Sequence, residues 1–553
     1  MVAVIAVTLY LVIVPLLFLL WSSFRSAPVG VSSPLTLENY LKVYRDARTY
    51  TLLGNTIVFA TGSATIAIFL GVIFAWLLER TNIPLKDLIY SLIPVPMAIP
   101  GVLFSIGWVL LLSPTIGVVN LFLVGLLGLE QPPINIYSLG GMIFLEGLHL
   151  TPVTFLMMAG AFKSMDPALE EASATAGAGL FATLRRITLK VLRPSIFAAL
   201  IYIFISAMES FEVPGVIGMR AGIHVLALKI YLAKEAIPPD YGMVGTLAVL
   251  LLSISALMVY FYGKITRASE RYTTVTGKGY RPKMIDLGRW KHVALGLFFC
   301  YFILTVVLPL FILLWASLLP FYQAPSRKAL SNLSLNNYWS LFDYPKVGLS
   351  IRNTLVMVLL APTITMALCS IISWFIVKGE AKSRQALDII TILPHAIPGI
   401  VIGVSLMWAY LVLPIPIYGT IWILLVAYVT HRISFGTRVM NAAMVQLHRE
   451  LEEASYASGG SWIRTFVRIT LPLLIPAFLN GWIFSAIAVA KAMGSVIMIY
   501  SPESVVLPVL VWERWNEGDV PGTAALGVMM IVGLILATFV ARKYGPQLLS
   551  QRL

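Results

Sequence analysis

The chain has few charged residues for its size. Only 12% of its 553 residues are Asp, Glu, Lys or Arg, whereas a soluble domain carries roughly 25%. A soluble protein covers its core with charged side chains, so this shortage excludes an ordinary soluble enzyme. A hydrophobic share of 59% also excludes a disordered chain, because disordered chains are poor in apolar residues.

Cysteine is scarce, and the common sequence signatures of catalysis are missing. The two cysteines, Cys300 and Cys369, stand alone in apolar stretches, so neither a disulfide framework nor a Cys-x-x-Cys site is available. The sequence has no G-x4-G-K-[ST] loop to cradle phosphates and no HExxH or GxSxG motif. Its six histidines form no dense ligand cluster. We therefore predict no catalytic residue, no metal site and no ability to hydrolyse ATP alone.

Acidic residues are outnumbered by basic ones. The chain has 39 Lys and Arg against 25 Asp and Glu, which gives a net charge of +14. Such a balance can indicate a nucleic-acid-binding protein, but here the charge is spread thinly over an apolar chain. In membrane proteins an excess of Lys and Arg marks the cytoplasmic loops. We therefore expect a lipid bilayer, and no nucleic acid, as a partner.

Long apolar runs dominate the sequence and predict an all-α membrane protein. A helix crosses the bilayer in about 20 apolar residues, and twelve runs meet this length. The third and ninth runs contain prolines, which kink membrane helices. A further apolar segment, 116–129, is short and Gly-rich, and we interpret it as re-entrant or interfacial rather than as a thirteenth span. The twelve runs are 3–21, 54–78, 88–112, 137–162, 194–212, 243–263, 293–318, 351–377, 386–411, 418–437, 471–500 and 522–541.

The placement of basic residues predicts the orientation of the chain. Most Lys and Arg residues fall on the loops that follow even-numbered spans, and the loop 264–292 is the most basic of them. Loops rich in Lys and Arg stay in the cytoplasm. The sequence therefore predicts a multi-pass protein whose N- and C-termini are both cytoplasmic.

The chain contains two copies of one unit. Early matches share an offset of 298 residues and later matches an offset of 282. Each copy holds six spans, so the two repeats run parallel, and the simplest pathway lies between them. We assign the first repeat to 1–270, a basic cytoplasmic linker to 271–291 and the second repeat to 292–553. The matched segments are Leu37–Tyr40 with Leu335–Tyr338, Asn55–Thr56 with Asn353–Thr354, Ala98–Gly101 with Ala396–Gly399, and Glu170–Ser173 with Glu452–Ser455.

One long loop in each repeat carries the same short motif, which we call the Glu-Ala-Ser block. The first block covers 166–186 and the second covers 448–468; both contain Glu-Glu-Ala-Ser with a glycine four residues further on. Asp166-Pro167 predicts a helix start, and the glycine either ends that helix or admits a close backbone. One copy alone is typical of an interfacial amphipathic helix. Two copies with equal spacing on one side favour a docking element for a two-fold partner.

The pattern Glu-Ala-(Ala or Ser)-x3-Gly-x9-Ile-x-Leu-Pro resembles the signature loop of permease subunits of binding-protein-dependent ABC importers. The second block matches it completely, whereas Lys190 replaces the final proline in the first. The resemblance implies the type I ABC importer permease (MetI-like) fold, and it makes each block a coupling helix that fits a cleft on a separate ATP-binding subunit. It assigns the contact to Glu171, Ala172, Gly177, Glu453, Ala454 and Gly459.

Two fused permease repeats in one chain also resemble the ferric-iron-type permeases. That resemblance implies ferric iron as the substrate and an extracytoplasmic binding protein that delivers it; polyamine, thiamine and aminoethylphosphonate are the alternative substrates. It further implies an ATPase dimer on the cytoplasmic face of a bacterial inner membrane. ATP and Mg would belong to that partner, and this chain would bind no cofactor. The supporting segments are EGLHLTP (146–152), SFEVPG (210–215), PPDYG (238–242) and TVTGKGYRP (274–282).

Several ionisable residues fall inside predicted spans, where a charge costs roughly 3 kcal/mol or more. The offset of 282 relates Glu209 to Lys491, and these two could pair across the pathway as a gate. Alternatively, each side chain pairs within its own half of the chain or extends to the membrane–water interface. The prolines that break equivalent helices mark either a substrate route or a packing kink. The candidate pathway or gate residues are Glu209, Lys491, Glu146, His149, His431, Pro100 and Pro398.

An ion-gradient-driven secondary transporter is the main rival, because it too has twelve spans in two halves. It would need no ATPase, and Glu146 and Glu209 would carry the coupling; the duplicated block argues against it. A membrane-embedded enzyme is a distant third. For an importer, the binding protein would dock on external loops, of which only the last is clearly acidic and suits a basic surface. These loops are 22–52, 213–242, 319–350 and 501–521.

Overall fold

The computed structural model of the protein describes residues 2–25, 34–269, 284–379 and 381–550. Within this described part the chain is helical, without a β-strand; isolated bridges join Arg25 to Leu35 and Thr81 to Ile285. The all-α prediction is therefore confirmed. The part of the predicted linker at 271–283 lies outside the described residues.

The helices vary from single turns to more than thirty residues. In chain order they are α1 (Val2–Ser23), α2 (Glu38–Arg45), α3 (Ala47–Arg80), α4 (Lys86–Leu92), α5 (Gly101–Leu112), α6 (Val118–Leu127), α7 (Leu139–Ser164), α8 (Ala168–Thr175), α9 (Leu180–Thr183), α10 (Leu189–Val191), α11 (Arg193–Met208), α12 (Met219–Ala221), α13 (Leu226–Glu235), α14 (Tyr241–Ser269), α15 (Trp290–Phe302), α16 (Leu308–Ser317), α17 (Arg327–Leu330), α18 (Asn336–Ser340), α19 (Pro345–Lys378), α20 (Ala381–Ile392), α21 (Gly399–Val412), α22 (Ile421–Met444), α23 (Glu450–Ala457), α24 (Trp462–Thr465), α25 (Leu471–Lys491), α26 (Leu507–Asn516) and α27 (Val520–Ser550). Some are joined by 3-10 turns (Val95–Ala98, Leu341–Asp343, Leu393–Ala396) or π-helical turns (Leu184–Thr188, Pro214–Gly218, Ile303–Val307, Phe466–Thr470).

Eleven of the twelve predicted spans coincide with helices that are long and apolar enough to cross a membrane. Eight of these are single or continuous helices, and three are pairs bent by 68° to 106°. The tenth predicted span forms α22, which is 24 residues long but less apolar than the others because it carries His431 and Arg432. Conversely, Pro214–Ala221 and Leu226–Glu235, bent by 77°, together pass the same length and composition test and were not predicted. The prediction missed this pair because each half is short.

The described residues form two compact units, which differ from the two sequence repeats. Unit 1 comprises Met1–Asp46, Lys229–Leu252 and Leu335–Leu553, and unit 2 comprises Ala47–Leu228 and Ser253–Ser334. Each unit therefore combines most of one repeat with the first span of the other. The predicted repeat boundaries describe sequence similarity and stay a prediction.

Specific contacts hold these exchanged spans. In unit 1, α1 packs along α21: the Tyr10 and Tyr410 hydroxyls lie 3.1 Å apart, and Trp21 meets Trp408 edge-on with centroids 6.3 Å apart. In unit 2, α16 packs along α5 so closely that a Cβ on Gly107 would lie 3.1 Å from Pro309. The first span of each repeat thus completes the core built by the other repeat.

Helix pairs at the centre of each unit approach through small residues. In unit 2, α3 packs on α7, and a Cβ on Gly71 would lie 2.7 Å from the Thr154 Cβ and 2.9 Å from the Phe155 backbone nitrogen. In unit 1, α19 packs on α22, where a Cβ on Gly436 would lie 2.7 Å from the Cys369 sulfur. Small residues at helix crossings let backbones pack closely, which is how membrane helices associate without a hydrophobic driving force.

The apolar segment 116–129 forms α6, whose ten residues rise only about 15 Å. That length cannot cross a hydrocarbon core of about 30 Å, so this segment is not a thirteenth span. The buried Asn120 amide donates to the carbonyls of Leu112, Ser113 and Ile134 at 2.7–3.2 Å and anchors the helix to the end of α5. Apolar side chains of α6, including Phe122, remain exposed, as expected of an interfacial helix.

Candidate functional site

The first Glu-Ala-Ser block forms a short helix followed by a turn and a second short helix. The helix α8 begins after Pro167, with the Asp166 carboxylate accepting a hydrogen bond of 2.9 Å from the Ala168 backbone N–H. It ends at Gly177, whose φ is +81°. A Cβ there would meet nothing within 4 Å. The glycine is therefore required by its left-handed backbone and not by a close neighbour, which decides between the two roles the sequence allowed.

The second block repeats this structure at the offset of 282 residues. The helix α23 ends at Gly459, whose φ is +80° with open space around its Cα, and α24 follows. In both blocks the serine of the motif bridges the two short helices. The Ser173 and Thr183 hydroxyls lie 2.8 Å apart, and so do those of Ser455 and Thr465. The repeated sequence therefore specifies a repeated local fold.

The two blocks expose a mixture of acidic and apolar side chains. Glu453, Ala172, Ala454 and both motif glycines are exposed, and Glu171 is half-buried. Large apolar side chains beside them are also exposed, in contrast to their usual burial: Leu169, Leu180 and Phe181 in the first block, and Leu451, Tyr456 and Ile463 in the second. Exposed apolar side chains clustered with polar ones are typical of a protein interaction surface. Each block thus offers a partner both apolar and acidic side chains.

The first glutamate of each Glu-Glu-Ala-Ser motif instead forms an ion pair, in which its side chain is 12% exposed in the first block and 8% in the second. The guanidinium of Arg80, at the end of α3, lies 2.8 Å from the Glu170 carboxylate. The ammonium of Lys378, at the end of α19, lies 3.1 Å from the Glu452 carboxylate. Sequence reasoning missed these residues because the partners lie on different helices. The signal was available: Arg80 and Lys378 are related by the 298 offset of the early matches.

The end of the linker is attached to the same end of α3. Backbone hydrogen bonds join Ile285 N to Arg80 O at 2.9 Å and Asn82 N to Ile285 O at 3.0 Å. The Asp286 carboxylate accepts from the Gly288 N–H at 2.9 Å and from the Asn82 amide at 2.7 Å. These hydrogen bonds lower the pKa of Asp286 because they stabilise its charged form. The predicted linker therefore ends in an ordered segment that is hydrogen-bonded beside Arg80.

At the opposite end of the long helices, the repeated Asn-Thr pairs hold a loop. The Asn55 amide donates to His224 O at 3.3 Å, and the Thr56 hydroxyl accepts from Leu226 N at 2.9 Å. The second repeat makes the equivalent contacts: the Asn353 amide donates to the carbonyls of Glu503 and Val505 at 3.1 and 3.0 Å, and the Thr354 hydroxyl accepts from Leu507 N at 2.9 Å. These contacts give the Asn-Thr repeat its structural meaning.

Four of the predicted pathway residues lie at the proline-broken helices. Pro100 and Pro398 stand immediately before α5 and α21, at bends of 92° and 106°. His149 packs its ring 5.3 Å from the Phe104 ring in the first turn of α5. His431 places its Cε1 3.8 Å from the Cβ position of Gly399 in the first turn of α21. In each unit the repeat-related histidine thus contacts the helix that follows the break.

The acidic candidates occupy the same region of unit 2. The Glu146 carboxylate is buried and accepts a hydrogen bond of 3.0 Å from the Ser210 hydroxyl. Glu209 lies directly after the last residue of α11, and Lys491 is the last residue of α25. The two residues belong to different compact units, and their pairing as a gate stays a prediction.

The acidic loop near 501–521 is partly neutralised by its own unit. Glu513 pairs with Lys346 at 3.0 Å, and Asp519 pairs with Arg514. Glu503 and Glu517 carry the rest of the negative charge. The acidic surface expected to receive a basic partner is therefore smaller than the sequence indicates.

A family profile, "Binding-protein-dependent transport system inner membrane component", matches residues 67–267 and 368–549. The chain belongs to this family. Each matched range contains one Glu-Ala-Ser block, the end of one long helix and one proline-broken helix. The membership confirms the predicted MetI-like fold and the presence of two repeats, and it identifies a multi-pass inner membrane protein.

Members of this family with similar sequences include transport permeases. The chain is 28% identical over 451 residues to "Ferric transport system permease protein FbpB" of Actinobacillus pleuropneumoniae, covering 80% of this chain and 63% of the relative. It is 29% identical over 425 residues to "Putative ferric transport system permease protein FbpB 1" of Haemophilus influenzae, covering 75% and 64%. It thus spans just under two thirds of these relatives. A "Probable ABC transporter permease protein y4fN" of Sinorhizobium fredii is 23% identical, covering 93% of this chain and 90% of that one.

Among solved structures, a bacterial alginate ABC transporter in complex with an alginate-bound periplasmic protein is similar to this family member. The sequence identity is 16%, with 46% of this chain and 94% of that chain covered and a TM-score of 0.39.

Proposed function

We propose that the chain is the permease subunit of an ATP-driven importer and that its two Glu-Ala-Ser blocks bind a separate ATPase dimer. The observation that carries this proposal is the duplicated short helix, α8 and α23, with apolar side chains exposed in both copies, Glu453 exposed and Glu171 half-buried. Two equal surfaces suit a partner with two equal subunits. On this account ATP and Mg bind to the partner, this chain binds no cofactor, and Glu171, Ala172, Gly177, Glu453, Ala454 and Gly459 make the contact.

Ferric iron is the substrate we propose. Two similar relatives are named as ferric transport permeases, at 28% and 29% identity. An extracytoplasmic binding protein would deliver the ion to the loops held by the Asn-Thr pairs. In this orientation both Glu-Ala-Ser blocks and both termini face the cytoplasm, which agrees with the distribution of Lys and Arg.

The pathway is proposed to pass the proline-broken helices α5 and α21. Broken helices at equivalent places in two repeats commonly mark substrate routes in transporters. His149 and His431 lie at these breaks, Glu146 lies one turn before His149 on α7, and Glu209 with Lys491 would form the gate.

Co-purification tests the ATPase contact. The chain would be co-expressed with the ATPase encoded beside it, and the amount of bound ATPase measured for Glu171→Ala combined with Glu453→Ala. We expect most of the ATPase to be lost. The matched control is Glu130→Ala, an exposed glutamate in the loop between α6 and α7, which should leave binding unchanged. If the double variant retains the ATPase at the wild-type level, the assigned contact is wrong.

A substrate measurement tests the iron assignment. Uptake of radiolabelled ferric ion by cells that depend on this transport system should fall when the gene is deleted, and excess polyamine, thiamine or aminoethylphosphonate should not compete. Competition by one of these would identify that compound as the substrate and contradict the iron assignment.

A further inference from the structure

We propose that α3 and α19, which we call the rods, transmit movement of a coupling helix to an external loop. Each rod is bound at one end to a coupling helix by a buried ion pair, and at the other end to an external loop by its Asn-Thr pair. The ion pairs Arg80–Glu170 and Lys378–Glu452 are the positioning contacts of this device. The proposal rests on the proposed function, because it assigns the means by which the Glu-Ala-Ser blocks would be coupled to the rest of the chain.

The first ion pair is largely buried, and further hydrogen bonds hold both of its side chains. The Arg80 and Glu170 side chains are 4% and 12% exposed. Arg80 also donates to the carbonyls of Phe162 and Met165 at 3.0 and 3.1 Å, at the end of α7. The second Glu170 oxygen accepts from the Thr188 hydroxyl at 2.5 Å. One guanidinium therefore fixes α3, α7 and α8 to one another.

The second ion pair has the same position with different chemistry. The Lys378 and Glu452 side chains are 5% and 8% exposed. Glu452 also accepts from the Thr470 hydroxyl at 2.8 Å and from the Trp374 indole N–H at 3.1 Å. Thr470 is the equivalent of Thr188 at the offset of 282, and the indole takes over part of the bonding that Arg80 provides in the first repeat. The geometry of this ion pair is thus preserved, although the cation is an arginine in the first repeat and a lysine in the second.

The two partners in this contact are related to their equivalents in the other repeat by different offsets. Arg80 and Lys378 differ by 298 positions, whereas Glu170 and Glu452 differ by 282, because the first repeat carries extra residues between them. The same contact nonetheless forms in both units. A buried ion pair adds little net stability compared with apolar packing, so its presence in both copies is better explained by positioning the short helix than by stabilising the fold.

The neighbouring glutamates separate positioning from binding. Glu170 and Glu452 face inward to the long helices, whereas Glu453 is exposed and Glu171 is half-buried. Adjacent positions on a helix point about 100° apart. In the second block the Glu-Glu pair thus has one residue that binds this chain and one that is exposed, and the proposed function assigns the second residue of each pair, Glu171 and Glu453, to the partner.

Each rod connects the two ends of its unit. Asn55 and Arg80 lie 25 residues apart on α3, and Asn353 and Lys378 lie 25 residues apart on α19; this separation is about 37 Å of continuous helix. Asn55 holds the loop at His224, and Asn353 holds the loop at Val505. A displacement of either coupling helix is therefore transmitted along one continuous helix to a loop on the far side, and in α19 this helix continues through Pro362.

Paired neutral substitutions test the proposal. The variants are Arg80→Met with Glu170→Gln, and Lys378→Met with Glu452→Gln; removing both charges leaves no unpaired buried ion. The matched control is Arg438→Met with Asp388→Asn, which removes an exposed ion pair of 3.2 Å elsewhere in unit 1. Thr470→Val is a milder variant should a double variant fail to accumulate, and Lys378→Arg should behave as wild type.

Two readouts separate positioning from stability. In the purified chain, hydrogen exchange of the amides in 168–177 or 450–459 should rise on the order of tenfold in the matching double variant, with the control unchanged. In the reconstituted transporter, ATP hydrolysis and bound ATPase should persist while substrate transported per ATP falls. A merely structural role would lower the amount of protein and both activities in parallel.

Two results would overturn the proposal: unchanged exchange in both double variants, or an unchanged ratio of transport to hydrolysis. Failure of the proposed function is recognised separately, because the wild-type complex would then show no ATP-driven transport while the exchange measurement on the chain alone still reports on the ion pairs.

Discussion

In each Glu-Ala-Ser block one glycine ends the first short helix, in a backbone conformation that other residues adopt only at a cost in free energy. Gly177 and Gly459 have φ values of +81° and +80°, and neither has a neighbour that a side chain would strike. The turn they make brings Ser173 to Thr183 and Ser455 to Thr465. At the residue scale the motif therefore determines the local fold, and the direction in which its glutamate points depends on that fold.

Gly177→Ala should therefore destabilise the first block without any steric clash. A left-handed conformation costs a non-glycine residue about 1–2 kcal/mol, so the end of α8 should exchange its amide hydrogens faster and the ATPase should bind more weakly. Gly177→Asn should have a smaller effect, because Asn tolerates this conformation. The control is Gly179→Ala: Gly179 has φ −68° and open space around it, so the substitution should have little effect. Equal behaviour of the two alanine variants would contradict the account.

At the scale of elements, the long helices α3 and α19 organise their units. Each packs on a neighbour through small residues, ends at a cation that binds the coupling block, and carries near its start an Asn-Thr pair that holds a loop. Most of these features repeat between the units. The first repeat differs from the second by an insertion, which forms the interfacial helix α6.

Close packing between α3 and α7 can be tested with two glycines on the same helix. Gly71→Ala would place a methyl group against Thr154 and the Phe155 backbone, and overpacking of this kind typically costs about 1–3 kcal/mol. Gly54→Ala meets nothing within 4 Å and should be neutral or stabilise the helix by about 0.5–1 kcal/mol. Thermal unfolding in detergent compares the two; a Gly71→Ala variant as stable as Gly54→Ala would show that the helices are not in close contact.

The sequence was sufficient for features that depend on local patterns. Apolar runs located eleven of the spans, internal prolines marked the bends before α5 and α21, and the repeated block located α8 and α23. Features that depend on contacts between distant segments were missed. The ion pair of Arg80 with Glu170 joins residues 90 positions apart, and the packing of α1 beside α21 joins the two repeats. The pair of short helices at 214–235 was missed because each half is too short to be recognised as a span on its own.

For the whole molecule, the central claim is that transport requires a separate ATPase acting through this chain. We assign both blocks the same task, on two equal subunits of the partner. The rival mechanism, driven by an ion gradient, would leave the two blocks without a purpose and would rely on Glu146 and Glu209 alone.

Uptake of ferric ion by proteoliposomes tests this claim most directly. The chain would be reconstituted with the ATPase and the binding protein encoded beside it, and uptake measured with ATP, with a non-hydrolysable ATP analogue, and with a proton gradient in the absence of ATP. The account predicts uptake only with hydrolysable ATP and only when all three proteins are present. Uptake by this chain alone under a proton gradient would contradict it.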